Sequence, residues 1–101
     1  MSIANVTIGA TNTTIINAAA QLTAVGILLC NFGSVDETVT VYAIKSGGSA
    51  GNSTTILKSF VLPAANTYSF DFKLILDSGD SIVAIGTVGA IVAATPSYLL
   101  M

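Results

Sequence analysis

Carboxylates are the main chemical resource of this chain: Asp36 and Glu37 side by side, then Asp71, Asp77 and Asp80. Paired carboxylates can hydrolyse glycosides when they face one another across a cleft. Asp36 and Glu37 are neighbours at the start of a strand-like run, where adjacent side chains point to opposite faces. They read as a solvated turn, with ion pairing to Lys45 or Lys58 of a neighbouring copy as a further use. Asp77 and Asp80 flank Gly79. A Ca²⁺ loop needs several oxygen ligands, yet this loop holds two carboxylates and lacks the EF-hand spacing. A turn in which Asp bonds the backbone accounts for the same residues, so no metal or other cofactor is expected. Cys30 closes the apolar run Ile27 to Cys30. With no His or Arg in the chain to make its surroundings electropositive, it reads as a small buried hydrophobe. Tyr42, Tyr68 and Tyr98 could stack on sugars, but aromatics make up only 7% of the chain and stacking platforms need several exposed rings. Three Asn-x-Thr triplets begin at Asn5, Asn12 and Asn52. No basic leader region precedes them, and they read as chance in a chain rich in Asn and Thr.

What is missing excludes more than what is present suggests. The 101 residues contain no His, no Trp, no Arg and one Cys. His-based triads, His metal sites, internal disulfides and Cys-rich metal sites all fall away. Three lysines cannot neutralise a phosphate backbone, so no nucleic acid is expected as a partner. The expectation is a non-enzymatic protein with no catalytic residues.

The elements that position these side chains read as strands. Val, Ile and Thr fill short segments between turn signals, and β-branched residues suit a pleated surface. The segments are Ile3 to Gly9, Asn12 to Asn17, Leu22 to Phe32, Glu37 to Lys45, Thr54 to Leu62, Thr67 to Leu76, Ser81 to Thr87 and Ala90 to Leu99. The run Ile27 to Cys30 predicts a strand covered on both faces. In the fourth segment Val39, Val41 and Ala43 face one way, and Thr38, Thr40, Tyr42 and Ile44 the other. Pro96 predicts an edge or a bulge. Asn17 to Leu22, with three alanines, is too short for a free-standing helix and reads as a connection. Ser46 to Ser53 is a polar, Gly-rich loop, predicted to expose Gly47, Gly48, Gly51 and Asn52. Eight strands at such spacing predict a single domain over residues 1–101. It should be an all-β antiparallel sandwich, jelly-roll or immunoglobulin-like.

All eight charged side chains lie between Asp36 and Asp80. A free domain usually spreads charge over its surface. The longest uncharged stretch, Ser81 to Met101, contains Gly86, Gly89 and Pro96, and its apolar part, Ile82 to Ala94, is too short to span a bilayer, so no membrane is expected. Disorder conflicts with the high apolar content. Burial against other subunits remains, since permanent interfaces are depleted of charge. The uncharged chain ends supply the expected contacts: Ile3, Val6 and Ile8 at one end, Leu99, Leu100 and Met101 at the other.

The string Phe70-Asp71-Phe72-Lys73-Leu74-Ile75-Leu76-Asp77-Ser78-Gly79-Asp80-Ser81-Ile82 resembles a pattern of small β-sandwich proteins in tailed-bacteriophage virions, where a strand leads into Leu-x-x-Gly-Asp-x-Ile. The earlier stretch Leu28 to Gly33, followed by Thr38-Val39-Thr40-Val41-Tyr42, resembles the strand and loop that precede it there. The likeness runs from Val25 to Ile85, and departs from the commonest form at Phe72 and Ser78. It implies a virion location and a structural role, and within that role the preferred expectation is a capsid decoration protein acting as a homo-oligomer, with a trimer guessed from symmetry. Its partners would be other copies of itself and the major capsid protein or another virion protein. A tail, neck or fibre component of the same particle is the near alternative, and a carbohydrate-binding sandwich module the distant one.

Overall fold

The computed structural model describes residues 2–3, 5–89 and 91–100. Among them lie nine strands: β1 Ser2–Ile3, β2 Val6–Ile8, β3 Thr13–Asn17, β4 Leu22–Asn31, β5 Glu37–Ile44, β6 Thr55–Leu62, β7 Thr67–Leu76, β8 Ser81–Gly86 and β9 Val92–Leu100. A single 3-10 turn, Asn52–Thr54, lies in the Gly-rich loop. One sheet runs β1-β9-β4-β7 with β2 also on β9, and the other runs β3-β8-β5-β6. All pairings are antiparallel. The protein is an antiparallel β-sandwich, as its periodicity predicts. From β2 onward every connection crosses to the other sheet except β5 to β6.

The core forms where the inner faces meet. Leu22, Ala24, Ile27 and Leu29 of β4 and Val92 and Ala94 of β9 oppose Val39 and Val41 of β5 and Ile82 and Ala84 of β8. Each large aliphatic buried here contributes about 1.5–3 kcal/mol. The inner positions of β4 switch from even to odd numbers at Val25, where the register shifts against both neighbours. That inserted residue turns Ile27 and Leu29 inward after Leu22 and Ala24. Gly26 belongs at this point, because a Cβ there would sit 3.2 Å from the Phe70 carbonyl oxygen and 3.3 Å from Asp71 Oδ1.

Three expectations change. The run Ile27 to Cys30 is covered on one face only: Leu28 is exposed and Cys30 half-buried, both turned away from the opposing sheet. β9 is an interior strand despite Pro96. On the β1–β2 side Pro96 falls between Ser97 and Ala94, the partners of Ile3 in β1 and Val6 in β2. The bulge lies instead on β4, beside it. Ile8 is 1% exposed and packs inside the chain's own core, so its side chain is not available to a neighbouring subunit.

Loops gather at two ends. Residues 9–12, 32–36, 63–66, 87–89 and 91 meet at one, through bonds such as Gly86 N to Gly9 O, Phe32 N to Ile91 O and Ala64 N to Asp36 Oδ1. Residues 18–21, 45–54 and 77–80 meet at the other, through Ala18 N to Asp80 O and Ser78 Oγ to Ala19 O.

Candidate functional site

Glu37 is not the solvated turn residue its sequence neighbours suggest. It shares the inward parity of Val39 and Val41 and is 1% exposed. Its carboxylate is the anchor of the 87–89 loop. Oε1 accepts from Thr87 N at 2.7 Å, Thr87 Oγ1 at 2.8 Å, Val88 N at 2.9 Å and Thr38 N at 2.9 Å. Oε2 accepts from Gly89 N at 2.8 Å and Val88 N at 3.1 Å. Three successive backbone N–H groups thus converge on one anion, a nest of the kind that binds phosphates elsewhere, filled here by the chain's own side chain. Burial alone pushes the Glu37 carboxyl up, but the bonds from Gly89, Val88 and Thr87 together hold it below its ordinary 4.5. Two glycines permit the arrangement. Gly89 has φ +86, and a Cβ on Gly86 would lie 2.5 Å from Glu37 Oε2.

Asp80 has the equivalent role at the other end. Its Oδ1 accepts from Ser46 N at 2.9 Å and its Oδ2 from Asp77 N at 3.0 Å, tying the β7–β8 turn to the Gly-rich loop. The bond from Ser46, the bond from Asp77 and the charge of Lys45 lower its pKa against a smaller opposing effect of burial. Asp77 accepts from Gln21, and Asp71 from Ser69. The Asp77–Asp80 loop is therefore a self-satisfied turn, and among the described residues no group of three or more His, Cys, Asp or Glu could hold a metal ion. Asn31, fully buried, completes the internal polar set: it donates to the Val35 and Leu62 carbonyls and accepts from Gly33 N.

These anchors decide what the surface presents. The chain's net charge of −2 corresponds to the two buried carboxylates, Glu37 and Asp80. The exposed charges balance: Lys45, Lys58 and Lys73 against Asp36, Asp71 and Asp77. On the strands of both sheets the outward charges are Lys58, Asp71 and Lys73, all on β6 and β7. The rest of both outer faces is neutral. The end built around Glu37 is largely apolar, with Phe32 60%, Val35 50% and Val88 52% exposed, and Asp36 is the exposed charge it carries among the described residues. The opposite end carries Lys45, Asp77 and Gln21.

Concave features are shallow and mostly apolar. A groove of about 350 Å³ runs between the sheets beside Ile15, Ala19, Ala20, Leu22 and Tyr98. Its polar side chains do not converge as a catalytic pocket requires. Of the residues expected at contacts, Val6 is half-buried against the core and Leu99 is exposed on the outer face. Ile3 and Leu100 lie in β1 and β9, while Met101 lies outside the described residues. Gly47, Gly48 and Asn52 are exposed, and Gly51 is half-buried just before the 3-10 turn. Tyr42 and Tyr68 sit on different sheets, and Tyr68 stacks on Phe60 and Phe70 rather than standing free.

No protein-family model matches the chain, and no curated protein matches it. Solved structures do resemble it. A protein of Bacillus endospore appendages, described as a family of disulfide-linked pili, is 23% identical with a TM-score of 0.53, covering 99% of this chain and 84% of that one. A pentameric capsid protein from metagenomic phage sequences, solved twice, is 19% identical with a TM-score of 0.45. It covers 97% of this chain and 60% or 62% of the other. At these identities the likeness to the appendage protein concerns the fold, an all-β architecture spanning nearly the whole chain.

Proposed function

We propose that the chain is a non-enzymatic structural subunit of a phage virion, a capsid decoration protein that assembles with copies of itself and rests on the shell through its apolar end. The crossing pattern of its strands is read as a jelly roll. One observation carries the proposal: the net charge is withdrawn into two hydrogen-bonded carboxylates, leaving a balanced surface whose sheet faces carry charge only on β6 and β7, and a Phe32–Val35–Val88 tip. Such a surface lacks the self-repulsion that keeps small domains apart. Many weak contacts repeated over a shell then add by multivalency. A tail, neck or fibre position in the same particle uses the same physics and differs in the surface engaged.

The test is pelleting with emptied, undecorated heads and with isolated tails of tailed phages, alongside Val88→Asp and Phe32→Ser. Saturable binding to heads that falls at least about tenfold in the tip variants, with melting unchanged, is expected. Binding to tails alone moves the protein to the tail. No binding to either, together with saturable binding on a glycan array, replaces the proposal with a carbohydrate-binding module.

A further inference from the structure

We propose that β7 pairs with β7 of a second copy, antiparallel about a two-fold axis at Phe72, joining two sheets into one. The inference rests on the self-assembly reading above and names the edge that carries it.

β7 ends its sheet, bonded on one side by β4. It is ten residues long, contains neither Gly nor Pro, and alternates without a break: Tyr68, Phe70, Phe72 and Leu74 half-buried on one side, Ser69, Asp71, Lys73 and Ile75 exposed on the other. At the register shift against β4, Phe72 and Lys73 together stand opposite Val25, and the alternation of exposure continues through them. Long regular edges invite pairing, and proteins blunt them by shortening, bulging or charge. The other edges are shorter or more often interrupted. β6 is interrupted by two register shifts and by Ser59 at φ 48. β3 has five residues and a shift between Thr14 and Ile16. On the remaining edge, β1 and β2 are short and separate.

Along the same side of the sandwich the rings of Phe60, Tyr68, Phe70 and Phe72 form a strip, with centroids 4.2, 6.4 and 5.2 Å apart in sequence. None of the four is fully buried within one copy. Aromatic strips that stay half-wet are the material of interface cores.

Charge sets the register. The outward charges on β7 are Asp71 and Lys73. Self-pairing centred on Phe72 places Asp71 of each copy opposite Lys73 of the other, twice over by symmetry. On the inner side Phe72 meets Phe72, and Phe70 meets Leu74. The same-faced registers on either side set Asp71 against Asp71 or Lys73 against Lys73, and like charges directly opposite are destabilising. A two-residue charge pattern thus selects one closed, isologous arrangement.

Light scattering over a dilution series tests this with the whole chain, its reversal variant Lys73→Asp and the double variant Asp71→Lys/Lys73→Asp. Both residues are exposed, and circular dichroism with melting confirms that each variant is folded. The expected result is an oligomer of even subunit number whose dissociation constant rises at least about tenfold in Lys73→Asp and returns in the double variant. An oligomer indifferent to both changes overturns the β7 pairing while leaving self-assembly standing. A monomer at every concentration overturns both. An odd-numbered assembly, such as a trimer, also overturns it, since an isologous edge cannot close one.

Discussion

Replacing Glu37 by Gln tests whether a buried carboxylate truly organises the apolar end. The substitution keeps volume and shape, so packing is not the variable. The Gln oxygen can take the place of Oε1 and keep Thr38, Thr87 and Val88 as donors. Its amide nitrogen must then face Gly89 N and Val88 N, donor against donor, where Oε2 accepted both. Hydrogen bonds to a charged group contribute about 1.5–3 kcal/mol against about 0.5–1.5 for neutral ones, and an orphaned buried donor costs about 1–3. One orphaned amide plus the loss of charge assistance, taken as non-additive, gives a destabilisation of roughly 2–4 kcal/mol. For a domain of this size that is a fall in Tm of roughly 10–30 °C. Urea unfolding at pH 7 measures it directly. A change within about 0.5 kcal/mol, the range of an ordinary surface substitution, would refute the reasoning. The pH dependence supplies a second reading. Glu37 has its folded pKa below the unfolded one, so the unfolded chain binds more protons in that window. The stabilisation is present above the ordinary carboxylate pKa and is lost as pH falls through the folded value. The gap between wild type and Glu37→Gln should therefore close on acidification, and a gap that widens would mean that the sign is wrong.

Asn31→Leu leaves the Val35 and Leu62 carbonyls and Gly33 N without their partner and should cost about 2–4 kcal/mol in urea unfolding, more than its apolar gain returns. Gly79→Ala combines a backbone at φ +93 with a Cβ placed 2.6 Å from Ser46 Oγ, and should lower stability by about 1–3 kcal/mol, read as a Tm shift.

Much of the fold was legible because its cause is local. Alternation marks the clearest strands, β5 and β7, and β7 runs over Thr67–Leu76, the bounds its sequence implies. The Asp77-Ser78-Gly79-Asp80 turn was legible for the same reason: Gly at positive φ and Asp on backbone amides act over four residues. The scarcity and clustering of charge are read directly from the sequence, and the expectation of self-association comes from them. Glu37 was not legible as an anchor, although its spacing from Val39 and Val41 was a usable clue. Its donors lie some fifty residues on, in a loop whose Gly-Thr-Val-Gly stretch reads as an ordinary break. The inward turn of Ile27 and Leu29 was hidden too, since a bulge is set by what the neighbouring strands require. Pro96 reads as an edge because a missing N–H counts against any interior strand, yet β9 lies between β4 and the β1–β2 edge. Sequence fixes what a residue can offer its near neighbours. Only the tertiary structure decides which distant backbone receives it, and thereby that the chain hides two of its negative charges and leaves one long edge free.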